Sequence, residues 1–241
     1  MSSIQIQPAL KILITFLASN SNTARGLDVD ISAITNYGCW CRFDSFAPYR
    51  GQTMDPMDEA CKRYFLSKEC IMIDNEITGT PCSNDVAYSD PIQISNDPYN
   101  SENDYSVLCE EYNPEGNFTS SVEAACAREH CRVDAYFLRE FNENESTLDV
   151  EFNGFLGFDG STSCRVNVPI EAASSSKQCC SIYPDRFPFK INGGSRACCE
   201  SVTYSTFMLD CCIDGTTRLI GTCWVRIWVI ILLNKFVADY W

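Results

Sequence analysis

The chain holds one histidine, His130, in 241 residues. Zinc sites of the C-x2-C…H-x-H kind need more imidazole than that. Basic residues are also scarce: 18 Lys and Arg stand against 32 Asp and Glu, for a net charge of −14. Phosphate backbones need Lys and Arg for neutralisation, so nucleic acid is not an expected partner. The net charge argues against docking on an anionic membrane by charge as well. Cationic partners, calcium or a mineral surface fit the sign, and so does simple solubility. Long apolar runs are missing too. The longest stretch of interest, residues 227–233, is bounded by Arg226, Asn234 and Lys235. It is too short for a span of about twenty residues, so no transmembrane span is expected. It lies in an apolar tail, 224–241, to which the sequence assigns no role beyond an interfacial or packed segment.

Cysteine is what the chain has in abundance, sixteen in all. They occur as one C-x-C, three CC doublets and dispersed single residues, a pattern that fits disulfides rather than zinc. Hydrophobic content of 45% and charged content of 21% allow a packed core. Residues 9–18 (ALKILITFLA) followed by small polar residues resemble a signal peptide cleaved near Ala24, which makes 1–24 an expected leader and the protein an expected extracellular one. Two sequons, at Asn117 and Asn144, are then glycosylation candidates.

The cysteines divide into two groups of eight. Cys39, Cys41, Cys61, Cys70, Cys82, Cys109, Cys126 and Cys131 form the first; Cys164, Cys179, Cys180, Cys198, Cys199, Cys211, Cys212 and Cys223 form the second. Both counts are even, so each group is expected to close on itself. The expected fold is small, disulfide-rich and mainly α in residues 28–155, with a β- and turn-rich cysteine module in 164–223. Asp55-Pro56 marks the start of one helix, with Met57, Ala60, Cys61, Tyr64 and Phe65 on one face. Ser120 with Glu123 marks a second, with Cys126, His130, Val133, Phe137 and Phe141 on one face. Lying antiparallel, the two helices would favour Cys61–Cys131 and Cys70–Cys126 cross-links. Residues 75–118 are polar and expected to be irregular, stapled by Cys82 and Cys109. Leu148-Asp149-Val150-Glu151-Phe152 alternates like a half-exposed strand. Adjacent cysteines diverge, so each doublet must reach two different neighbours.

Tyr37-Gly38-Cys39-Trp40-Cys41, followed by Asp55, Asp58 and Cys61, resembles the calcium loop and catalytic-helix entry of secreted phospholipase A2. The likeness covers about residues 28–141. It implies two antiparallel cross-linked helices, calcium held by loop carbonyls and a carboxylate, and a His–Asp pair that activates water. The sequence departs from that pattern at its chemistry. The positions of the pair are Tyr64/Phe65 in one register and Phe65/Leu66 in the other. The loop carbonyls would be those of Trp40, Arg42 and Asp44, without the glycines that turn them toward a metal, so calcium is expected to be held weakly if at all. His130 is too isolated to be assigned the role of base.

Residues 179–223 resemble the di-cysteine repeats of galaxin-like matrix proteins, through Cys179-Cys180, Tyr183-Pro184, Pro188-Phe189, Cys198-Cys199, Cys211-Cys212, Gly215 and Cys223. That resemblance implies an extracellular matrix or biomineral setting and no chemistry. Three functions follow as expectations: a non-catalytic matrix protein on a phospholipase-like scaffold; a calcium-dependent phospholipase; and a lipid- or partner-binding module with a slot lined by Tyr64, Phe65 and Leu66. Aromatic filling of the core is the plain alternative to that slot.

Overall fold

The computed structural model describes residues 34, 36–43, 50–79, 82, 86, 88, 105–164 and 176–223. The leader-like 1–24, Asp44 and the tail 224–241 lie outside them.

Two short strands, β1 (Asn36–Tyr37) and β2 (Cys41–Arg42), pair antiparallel and lead toward the first helix, α1 (Pro56–Thr78). The Asp55 carboxylate accepts from the Asp58 N–H at 2.8 Å, Pro56 occupies the first turn, and Gly79 ends the helix at φ 68. Asp55 and Pro56 stand where the sequence reading placed them, while the Gly79 cap was not among its signals. The second long helix begins at Ser121. Ser120 Oγ accepts from the Glu123 N–H at 3.1 Å, while the Glu123 carboxylate reaches Thr119 N at 2.9 Å. The capping box is thus displaced by one residue on its return arm.

Between them lies a helix that the sequence reading missed, α2 (Tyr105–Tyr112). The expectation of an irregular 75–118 is corrected there. Asp104, directly before Tyr105, is a cap-type residue that sequence reading passed over, and the Cys109–Cys131 disulfide ties the segment to the second long helix, α3 (Ser121–Asn144). The expected strand at 148–152 is also corrected. Asp149 accepts from the Glu151 N–H at 2.9 Å and turns Val150–Phe152 into 3₁₀-helix. A local side-chain cap wins over the alternating pattern, and the neighbouring strand β1 meets the segment through an isolated Tyr37–Asn153 bridge and a Gly38 N–H donated to Phe152 O at 2.9 Å rather than through a ladder. Phe152 still faces inward, edge-on to Tyr37 with ring centroids 6.2 Å apart. A short helix, α4 (Gly160–Ser163), follows.

Helices α1 and α3 form the core. Arg63 faces Glu140 and Lys68 faces Asp134, so the chain directions oppose one another. Met57, Ala60, Cys61 and Tyr64 are buried as expected, and so are Cys126, His130, Val133, Phe137 and Phe141.

The remainder is three antiparallel hairpins: β3 (Lys177–Cys180) with β4 (Phe187–Lys190), β5 (Arg196–Cys199) with β6 (Val202–Ser205), and β7 (Leu209–Cys211) with β8 (Thr217–Leu219). Cys180–Cys198, Cys199–Cys211 and Cys212–Cys223 link them in series. One cysteine of each doublet bonds backward and its neighbour forward, as successive residues on a strand point to opposite faces.

All sixteen cysteines are paired. The two groups do not close on themselves, however. Cys39–Cys164 and Cys70–Cys179 cross from one to the other. The expected Cys61–Cys131 and Cys70–Cys126 links are replaced by Cys41–Cys61, Cys82–Cys126 and Cys109–Cys131. Helical geometry gives the reason. Nine residues are about two and a half turns, so Cys61 and Cys70 lie on opposite sides of α1 and cannot both meet α3. Cys61 meets Cys41 at the start of β2 instead, and Cys70 meets Cys179 in the first hairpin. That hairpin is further held to α1 by Lys177–Glu69 at 2.5 Å and by an Arg186–Asp74 ion pair. Among the described residues no helix is long and apolar enough to cross a membrane.

Candidate functional site

The loop before α1 is organised by one carboxylate. Asp58 is fully buried and accepts from Trp40 N at 2.7 Å, and from Cys39 N and Met54 N at 3.0 Å. Burial pushes its carboxyl upward, and these N–H donors pull it back. Gly38 is required here: its φ is +56, and a Cβ would sit 2.5 Å from the Asp58 carboxyl carbon. Trp40 O accepts from Arg42 N at 2.7 Å, and Arg42 Nη1 donates to Asn36 Oδ1 at 2.7 Å. The Trp40 carbonyl and the Arg42 side chain are thus both engaged in internal contacts of the loop.

Behind the loop, aromatic rings pack together. Tyr64 lies 4.6 Å from Phe137 and 5.5 Å from Phe65 between centroids, and Phe43 stacks on Phe65 at 5.3 Å. The Arg50 guanidinium covers the outer side, 4.9 Å from the Phe65 ring and 5.0 Å from Trp40. Leu66 is half-buried at the edge of this core. A cavity of about 10 Å³, bounded by Tyr64, Ser67, Phe137, Glu140, Tyr183 and Pro184, has room for one water molecule.

The buried polar chemistry lies one turn further along α1. Cys126, His130 and Asp134 recur every four residues on α3 and share a face. Lys68 reaches into that face, its Nζ 2.9 Å from His130 Nδ1 and 2.6 Å from Asp134 Oδ1. Tyr88 donates to the other Asp134 oxygen. Tyr64 is pushed well above the usual tyrosine range by burial and then by the Asp134 carboxylate beside it. Burial also lowers Lys68, and Asp134 opposes that shift. His130 is driven down to about 2, first by burial and then by the Lys68 ammonium. A group so hard to protonate is a poor general base near neutral pH.

Sequence reading named His130 but not its partners. Lys68, four residues after Tyr64, and Asp134, four after His130, carried the signal at helical spacing. Cys82, Cys126 and His130 bring their ligand atoms within 4.8 Å of one another, but both sulfurs belong to the Cys82–Cys126 disulfide. Of the sequon residues, Asn117 is exposed, while Asn144 is half-buried and its Nδ2 donates to Glu140 O at 2.8 Å.

A pH dependence follows from His130. Its native pKa lies below the unfolded value near 6.5, so below pH 6.5 the unfolded chain binds a proton that the native one refuses. Its contribution to stability is complete above that pH and declines by roughly 1.4 kcal/mol per pH unit on acidification toward 2. Urea midpoints between pH 7.5 and 4.5 should fall accordingly. In His130→Gln the fall should be shallower by that amount.

No family model matches the chain, and no match was found among curated proteins or solved structures.

Proposed function

We propose that the protein is a secreted, non-catalytic phospholipase A2-like protein whose disulfide-linked hairpin module serves an extracellular or matrix-associated structural role. One observation carries the proposal. The positions that the family uses for its His–Asp pair hold Tyr64 and Phe65, packed against Phe43 and Phe137. The phenyl ring of Phe65 can neither accept a proton nor hold a cation, and the Tyr64 phenol, which titrates near pH 10 or above, is a poor base at neutral pH. The residues present do not fit calcium either. That ion takes oxygen ligands, among them carboxylates, whereas the carboxylate position is a phenyl ring with a guanidinium 4.9 Å from it. Side chains of this kind support no hydrolytic step. The other register, Phe65/Leu66, leads to the same conclusion.

A lipid slot at Tyr64, Phe65 and Leu66 has less support. The adjoining cavity of about 10 Å³ is far too small for an acyl chain. The eight disulfides fit an oxidising compartment, in keeping with secretion.

The test is fatty acid release from mixed phospholipid vesicles by the oxidised protein, with calcium and with chelator. Release at the level of the protein-free control in both conditions is expected. Calcium-dependent turnover that survives repurification would overturn the reading.

A further inference from the structure

We infer that the apolar segment 224–241 packs back onto the third hairpin of its own chain, over the side chains of Phe207, Met208, Leu219 and Ile220.

Backbone geometry makes these four residues one patch. Leu209 and Leu219 are partners at the open end of the β7–β8 hairpin, and one step further out the Ile220 N–H donates to Met208 O at 3.2 Å. Phe207 belongs to the turn that feeds β7, closed by the Met208 N–H on Ser205 O at 3.2 Å. Four large apolar side chains thus meet at one end of a short ladder. In chain order they are 77%, 64%, 62% and 54% exposed, and the turn at the other end adds Ile213 at 97%. Single exposed apolar residues need no explanation, but adjoining ones of this size mark a surface that something covers.

The chain itself delivers the cover. After β8 it reverses, with the Thr222 N–H donating to Leu219 O at 3.0 Å, and Cys223 is bound to Cys212 with Cα atoms 5.2 Å apart. The following segment therefore starts beside the hairpin, since Cys212 is three residues from Leu209, about 10 Å along an extended strand. Of residues 224–233 all but Arg226 are apolar. As a helix they would run about 15 Å and extended about 33 Å, so either form reaches the patch. Each apolar side chain that leaves water there is favoured.

The tether disfavours other occupants. Attachment through Cys223 sets an effective concentration on the order of millimolar, so the patch of a second copy competes only at comparable protein concentration. A bilayer span needs about twenty apolar residues, and the net charge of −14 opposes approach to an anionic surface.

Tryptophan reports the packing directly. Trp224, Trp228 and Trp241 are three of the four in the protein, and the fourth, Trp40, is 9% exposed. In the oxidised full chain acrylamide should quench the emission weakly, and equally so at about 1 and about 50 µM protein. Phe207→Asp/Ile220→Asp should raise the quenching constant about twofold or more and shift the emission to the red. Both positions are exposed, so the hairpin should still fold, as judged by far-UV circular dichroism and disulfide mapping. Leu219→Gln/Ile220→Gln gives the same test if the aspartate pair does not fold. Phe155→Asp/Leu156→Asp, which charges an exposed apolar pair outside the patch, should leave quenching unchanged. Strong quenching in the unsubstituted protein would overturn the inference. So would quenching that the folded hairpin variants do not alter, or that the Phe155 and Leu156 variant raises equally. Protection that appears only as light scattering shows a dimer, or only on adding phosphatidylcholine vesicles, would assign the segment to a second copy or to a bilayer and overturn it too.

Discussion

Lys68→Met should destabilise the protein by about 3–5 kcal/mol, the usual consequence of stranding one member of a buried ion pair. Asp134 is left with its charge in the core, 3% exposed and facing, among the described residues, the hydroxyls of Tyr64 and Tyr88. Lys68→Met/Asp134→Leu should recover most of the loss, because the penalty belongs to the unpaired charge rather than to the missing attraction. A remainder of about 1–2 kcal/mol should persist, since His130 Nδ1 then has no donor. Lys62→Met provides the control. Lys62 pairs with Glu59 at 3.0 Å, but both side chains are about a third exposed, and the pair should contribute about 0.5 kcal/mol or less. Urea midpoints for the three variants, with disulfides intact, decide the matter. A double variant no better than Lys68→Met alone would mean that the loss comes from packing of the lysine stem.

That buried pair shows where sequence reading stopped. Local signals were sufficient for the long helices. Asp55-Pro56 and Ser120 with Glu123 each use their own side chains to satisfy their own backbone, so distant residues are not needed to recognise them. The buried faces followed from the same periodicity. Partners across the interface did not follow, because a lysine at helical spacing looks the same whether it faces water or a carboxylate roughly two-thirds of a hundred residues away. Disulfide connectivity failed in a more instructive way. Even counts suggested two closed groups, yet the side of α1 on which Cys70 emerges was already fixed by its distance from Cys61. Helical phase, applied to cysteines as it was to apolar residues, would have turned Cys70 away from α3. The 3₁₀-turn at Val150–Phe152 was less accessible. Its alternation is real, but the Asp149 cap decides locally, and contact with β1 stays an isolated bridge between Tyr37 and Asn153. The aromatic filling around Tyr64 was visible as composition, but Phe43 and Phe137 come from other segments, and only the fold brings them together.

Cys70→Ala/Cys179→Ala should cost about 3–4 kcal/mol. The loop that this disulfide closes is shorter than its sequence separation of 109 suggests, because Cys39–Cys164 and Cys41–Cys61 already tie the same regions together. Through those links the closed path is about 25 residues, and the chain-entropy model gives about 3–4 kcal/mol for that length. Removing Cys39–Cys164 as well should cost more than the two separate losses added together. With neither tie the unfolded path becomes much longer, and the first hairpin is left with Lys177–Glu69, Arg186–Asp74, the Ser67 hydroxyl near Pro184 and Arg186, and the packing of Tyr183 against the helical core. Exposed or half-exposed polar contacts of this kind contribute little individually. The wild-type protein should therefore unfold in one transition. The variant lacking both crossing disulfides should show two, with amide exchange protection lost first in β3 and β4 and later in α1 and α3. Loss of protection in all four elements together would mean that the α1 face around Ser67, Cys70 and Ile71 needs the hairpin to fold at all. The even division of the cysteines would then have misled twice, once about connectivity and once about independence.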